Sequence, residues 1–139
     1  MKKILVQILA VLCLSTFANA DSQNHAQEIN SKERSAIALS KLKASKDTVQ
    51  VYVRGLICES CGLGVRNKLQ RLDFVDTKKP KKGITLDVKS QLTSISIKKG
   101  KKADFKAIVK AIKGAGYDPV TLYELGTGSK LKVTSLEAK

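Results

Sequence analysis

The feature that most constrains the fold is an alternation of apolar and polar residues that recurs in short segments. Residues 49–53 place Val at every second position, and the same period of two returns at residues 84–88 and 93–97. A period of two predicts a strand with one buried face, and the last two segments, joined by a short turn, predict a hairpin. A further apolar run at residues 120–125 predicts a last strand.

Between these strands the apolar spacing changes to three and four, which predicts two amphipathic helices. Val65, Leu69 and Leu72 fall on one helical face. The second stripe consists of Phe105, Ile108, Val109 and Ile112. Asp104 is a candidate cap at the start of the second helix, and glycines follow it where the helix should end.

The resulting order is strand, helix, strand, strand, helix, strand, which predicts an α+β domain over residues 48–125. With right-handed crossovers, the simplest closure is a ferredoxin-like βαββαβ sandwich, in which a four-stranded antiparallel sheet carries both helices on one face. Residues 21–47 are polar and predict a linker or frayed helix, because their apolar residues align only loosely. Residues 126–139 predict a flexible tail.

Residues 1–20 have the composition of a signal peptide that is removed after Ala20. Lys2 and Lys3 precede an apolar run at residues 4–17, and Ala18-Asn19-Ala20 gives the small-x-small cleavage pattern. The run is too short for a membrane span, so we expect export to the periplasm rather than anchoring. Cys13 lies in this segment as one of its hydrophobic residues.

The chain is strongly basic, with 26 Lys and Arg against 12 Asp and Glu and a formal net charge of +14. In an exported chain with no Trp and few aromatic residues, this charge does not favour nucleic acid. Much of it is concentrated at residues 78–82 and 98–102, which we interpret as solvated loops; a docking patch for an acidic partner or an anionic membrane is the alternative. We expect a monomer.

Cys58 and Cys61, in the stretch Gly-Leu-Ile-Cys-Glu-Ser-Cys-Gly, are the candidate functional residues. A disulfide between them would close a very small loop and constrain the unfolded chain little, so a structural role is a poor explanation. Thiolates at the start of a helix are good ligands for soft metal ions. A structural zinc site takes four Cys or His ligands, whereas His25 lies in the polar leader, so two-coordinate Cu(I), Ag(I) or Hg(II) are the candidates.

The cysteine motif, the helical stripe after it and Ala115-Gly116-Tyr117 before the last strand together resemble the heavy-metal-associated (HMA) domain family over residues 48–125. This family includes copper chaperones, amino-terminal domains of metal-pumping P-type ATPases and a periplasmic mercuric-ion-binding protein. The resemblance implies that Cys58 and Cys61 bind the metal and that Tyr117 packs near them. Leu56 stands where the family usually has Met, and Ile57 stands where a small polar residue is common.

These observations predict a metal carrier and not an enzyme. The thiolate pair would capture Cu(I), with Hg(II) next, and pass it by ligand exchange to a partner with its own cysteines. By resemblance, that partner is a membrane metal transporter or a P-type ATPase. The alternative is a thiol–disulfide oxidoreductase that uses the same two cysteines. A third possibility is a domain whose site now serves only protein contacts.

Overall fold

The computed structural model describes residues 29–137, which form one antiparallel sheet with helices on both faces. Its strands are β1 (Thr48–Arg54), β2 (Ile84–Asp87), β3 (Leu92–Ser96), β4 (Asp118–Leu125) and β5 (Leu131–Ser135), and its α-helices are α1 (Ser31–Ala44), α2 (Leu63–Leu69) and α3 (Phe105–Gly114). The strand order across the sheet is β2-β3-β1-β4-β5. This confirms the α+β class, while the predicted signal peptide, residues 1–20, lies outside the described residues.

The two helices predicted from apolar spacing pack on the same face of the sheet. Their inward side chains are fully buried against β1, β2, β3 and β4, and they are Val65, Leu69, Ile108 and Ile112. Asp104 caps α3 as predicted, because its carboxylate accepts hydrogen bonds from the backbone N–H groups of Lys106 at 2.9 Å and Ala107 at 3.2 Å. This layer of α2 and α3 therefore forms from local sequence signals.

The opposite face of the sheet is covered by α1, a packed helix within residues 21–47, for which a linker or frayed helix was predicted and of which the structure describes residues 29–47. Its inward residues are Arg34, Ala38 and Leu42, spaced four apart. One of these three positions is an arginine, so the apolar periodicity is weak even though the helix is firmly packed. The Arg34 guanidinium lies 3.7 Å from the centroid of the Tyr52 ring and donates to the carbonyl of Ser90 at 3.1 Å.

Because helices cover both faces, β1 is buried on both sides rather than on one. The alternation in the sequence predicts that Gln50 and Tyr52 face solvent, but they are only 1% and 6% exposed. Gln50 accepts a hydrogen bond from the Ser94 hydroxyl at 2.8 Å on the neighbouring strand. The second helical layer thus changes what the period-two pattern means in this strand.

The sheet has five strands, not the predicted four, because residues predicted to be a flexible tail form β5. Strand β5 pairs with β4 along its whole length, and the cross-strand neighbours Glu124 and Lys132 form an ion pair of 3.1 Å. Arg54 and Glu137 add a second ion pair of 2.6 Å just after β5. Backbone pairing, rather than a buried apolar face, holds this exposed edge strand in place.

Candidate functional site

The cysteines lie in a surface loop, residues 55–62, that connects β1 to α2. Gly55 opens the loop with a φ of +82°, a conformation that suits glycine. Leu56 is fully buried beneath the loop. A Cβ on Gly62 would lie 2.3 Å from Cδ1 of Leu86 and 2.9 Å from Cδ1 of Leu56, so the backbone passes directly over the core at the end of the loop. Leu56 and Gly62 therefore fix both ends of the cysteine loop.

Cys58 and Cys61 are joined by a disulfide, with their Cα atoms 5.2 Å apart. The backbone N–H of Cys61 donates to Sγ of Cys58 at 3.0 Å, and the Ser60 hydroxyl lies 3.3 Å from the same sulfur. Cys58 is half-buried, whereas Cys61 is exposed. The two cysteines are thus unequal: Sγ of Cys58 has hydrogen-bond partners that would stabilise a thiolate, and Cys61 is the more exposed residue of the pair.

The structure places Tyr117 against the cysteine loop, although it touches the backbone rather than a sulfur. Its hydroxyl donates to the carbonyl of Cys61 at 3.0 Å. Its ring lies 4.0 Å from the position that a Cβ on Gly55 would take. Tyr117 therefore connects β4 to both ends of the loop and supports its shape.

The surface around the cysteines is apolar as well as charged. Ile57 is 68% exposed and Leu63 is 46% exposed, so two large aliphatic side chains flank the disulfide. Lys81, from the lysine-rich loop before β2, lies 3.9 Å from the carboxylate of Glu59 between the cysteines. Of the predicted site residues, Leu56 thus lies beneath the loop, while Ile57 points outward beside it.

Sequence reasoning did not single out Ser60, Leu63 or Lys81 as residues in or around the cysteine loop. The positions of Ser60 inside the motif and Leu63 two residues after it were available signals. Lys81 gives no local signal, because only the packing of its loop brings it to Glu59. The chain therefore contributes a basic group to this site from a distant segment.

No third metal ligand accompanies the cysteines in the part of the chain that the structure describes. Among residues 29–137, no group of three or more His, Cys, Asp or Glu side chains is arranged to hold a metal ion. His25 and Cys13 lie outside that range. In the described part of the chain, the pair would therefore offer two soft ligands once its disulfide is reduced.

A cleft of about 470 Å³ lies at the other end of the sheet, at the start of β1 and α3, and no cysteine lines it. Within residues 29–137, the helices are too short or too polar to span a bilayer.

Comparisons of the chain with protein-family models, with curated proteins and with solved structures found no match. The site must therefore be interpreted from its own residues.

Proposed function

We propose that this protein carries a soft metal ion on the reduced thiolates of Cys58 and Cys61. The observation that carries the proposal is the loop itself, which holds two sulfur atoms together at the surface, with Cys61 exposed and no further ligand group assembled among residues 29–137. Thiolates select soft ions, and a pair of them suits linear coordination. Cu(I) is the first candidate, and Hg(II) and Ag(I) follow.

We infer that the unit from β1 to β4 is a ferredoxin-like βαββαβ fold, extended by α1 and β5. The sheet order β2-β3-β1-β4 and the packing of α2 and α3 on one face support this inference. Together with the cysteine motif between β1 and α2, this arrangement supports membership of the HMA domain family. By the same resemblance, the recipient is a membrane metal transporter or P-type ATPase with its own cysteines. The exported carrier would deliver its ion to this recipient in the periplasm.

Loading begins with reduction, because a sulfur in the Cys58–Cys61 disulfide is not a thiolate ligand. A dithiol reductant transfers two electrons to the S–S bond, becomes a disulfide itself and leaves two thiols on the protein. Binding of Cu(I) to both sulfurs then releases their two protons. The redox state of the pair consequently decides whether the carrier accepts metal.

Delivery requires only exchange of ligands. A thiolate of the recipient forms a third S–Cu bond, and the bond to one carrier cysteine then breaks as that sulfur takes up a proton. A second exchange completes the transfer, and copper stays Cu(I) throughout. Because Cys61 is exposed and Cys58 is half-buried, the recipient approaches from the side of Cys61.

An anaerobic titration of the reduced protein with Cu(I), against a competing chelator, tests the proposal. A Cys13→Ser background removes the third thiol, and in it we expect one tightly bound equivalent. Cys58→Ser or Cys61→Ser should abolish tight binding, whereas Ser60→Ala, a matched change inside the loop, should retain it. Absence of binding by the reduced Cys13→Ser protein would refute the carrier function.

The disulfide itself favours a second candidate, a thiol–disulfide oxidoreductase. An external thiolate would attack Sγ of Cys61, the more exposed residue of the pair, and the S–S bond would break. Cys58 would leave as a thiolate that the N–H of Cys61 stabilises at 3.0 Å. The product is a mixed disulfide on Cys61, which a second external thiol resolves. Rapid turnover of glutathione disulfide without retention of Cu(I) would favour this enzyme over the carrier.

A further inference from the structure

The helical layer beside the cysteine loop has an unusual charge distribution. Residues 60–72 and 105–117, which contain α2 and α3, carry six Lys and Arg residues and no Asp or Glu. All of these cations except Arg66 are exposed, namely Lys68, Arg71, Lys106, Lys110 and Lys113. We call this surface the α2–α3 face.

The five exposed cations of the α2–α3 face have no anionic partner within the described part of the chain. Five ion pairs occur in residues 29–137, and none of them involves any of these five cations. Glu59 and Asp73, in the turns on either side of α2, pair instead with Lys81 and Lys101. Carboxylates elsewhere on the surface neutralise Lys41, Arg54 and Lys132. The α2–α3 face therefore presents uncompensated positive charge that favours an anionic partner.

Apolar surface lies between these cations. A groove of about 400 Å³ runs between the two helices, and its lining consists of Leu72, Ala107, Ala111 and Gly114 with Lys68, Arg71 and Lys110. A neighbouring hollow is formed by Phe105, Val109 and Leu136 with Lys106 and Lys110. Cationic heads on long aliphatic stems thus surround shallow apolar hollows, an arrangement that suits the boundary between lipid headgroups and acyl chains.

We propose that the α2–α3 face binds the surface of an anionic lipid bilayer. Clustered Lys and Arg side chains are attracted to acidic headgroups without any fixed pairing geometry. The five cations fit this kind of attraction, because no ion pair in the described part of the chain holds their side chains. Protein–protein interfaces are by contrast depleted in lysine, and four of these five residues are lysines. This binding is independent of whether the cysteines hold a metal ion.

Sedimentation of the full-length protein with vesicles tests the proposal. We expect stronger partitioning onto vesicles of phosphatidylglycerol and phosphatidylcholine than onto phosphatidylcholine alone, and this preference should fall as salt is added. The triple variant Lys68→Gln, Lys106→Gln, Lys110→Gln should lower the preference about a hundredfold, since each lysine near an anionic surface contributes roughly fivefold. The apolar run at residues 4–17 is common to all variants, so its contribution cancels when the preference of a variant for phosphatidylglycerol vesicles is divided by that of the wild type.

The matched control is Lys32→Gln, Lys43→Gln, Lys46→Gln, which removes the same charge from exposed positions on or just after α1, across the sheet. It should retain most of the preference for phosphatidylglycerol. Equal losses in the two triple variants would overturn the proposal, because only net charge would then matter. Binding to soluble polyglutamate without any preference for phosphatidylglycerol vesicles would also overturn it, in favour of an acidic protein partner.

Discussion

Replacing Gly62 by alanine tests whether the cysteine loop is seated on the core at this point. The new Cβ would lie 2.3 Å from Cδ1 of Leu86 and 2.9 Å from Cδ1 of Leu56, both in buried side chains. Overpacking of this kind costs about 1–3 kcal/mol. The backbone at Gly62 is right-handed, with φ −74° and ψ −5°, so alanine fits its conformation and regains about 0.4–1 kcal/mol by restricting the unfolded chain.

The expected net effect of Gly62→Ala is a loss of about 1–2 kcal/mol in the free energy of unfolding. For a domain of this size, that loss lowers Tm by about 4–8 °C. Thermal unfolding followed by circular dichroism, with the disulfide intact, measures the change. Because the displaced loop carries Cys58 and Cys61, the variant should also bind Cu(I) more weakly after reduction.

Gly64→Ala is the matched control, two residues further along and inside α2. A Cβ there would lie 3.8 Å from Cβ of Ala115, which is ordinary contact. Alanine is favoured over glycine in a helix by up to about 1 kcal/mol, so Tm should rise by a few degrees. A Gly62→Ala protein that melts at or above the wild-type temperature would refute the claim that Leu56 and Leu86 close tightly against the loop.

Three further predictions concern contacts outside the sulfur pair. Arg34→Met should lower the free energy of unfolding by about 1–3 kcal/mol in denaturant titrations, since it removes the stacking on Tyr52 and leaves a buried carbonyl without its donor; unchanged stability would contradict the packing of α1. Burial by itself raises the pKa of Asp87, but hydrogen bonds from Lys41 and Ser90 outweigh this effect. The pKa of Asp87 is therefore lowered from its ordinary value of 3.8. The carboxylate therefore stabilises the fold at neutral pH, and this contribution is lost as the pH falls below 3.8 through the folded-state pKa; Asp87→Asn should flatten that part of the stability profile, and a profile identical to wild type would contradict the assignment. Tyr117→Phe removes the hydrogen bond to the carbonyl of Cys61 and should speed amide exchange in the cysteine loop, with little change in global stability. Exchange as slow as in the wild type would show that the hydroxyl does not hold the loop.

Local periodicity was sufficient to predict the elements from β1 to β4, because each of them buries an apolar face. The start of α3 at Asp104 was predicted correctly for the same kind of local reason, since a carboxylate there meets unpaired N–H groups. The apolar spacing placed Leu72 on the same helical face as Val65 and Leu69, whereas α2 ends at Leu69. Leu72 still packs against the core from the turn that follows, so its apolar character did not report helix length.

The candidate site was only partly predictable. The motif located Cys58 and Cys61 between the first strand and the helix that follows it, and in the structure Tyr117 contacts the loop that carries them. The disulfide, the hydrogen bonds to Sγ of Cys58 and the approach of Lys81 to Glu59 required the structure. These features depend on atoms brought together by loop geometry, which spacing in the sequence does not encode.

By itself, the sequence determined the order of the elements from β1 to β4 and the spacing of the two sulfurs, because both depend on residues close together in the chain. Only the tertiary structure decided that α1 covers the second face and that β5 extends the sheet. The docking of α1 depends on a buried arginine over Tyr52, and β5 is held by backbone pairing with β4. Arg34 interrupts the apolar spacing of α1, and the pairing of β5 uses backbone groups that every sequence has. The partners of both segments lie far away along the chain, so local spacing gives little indication of either contact.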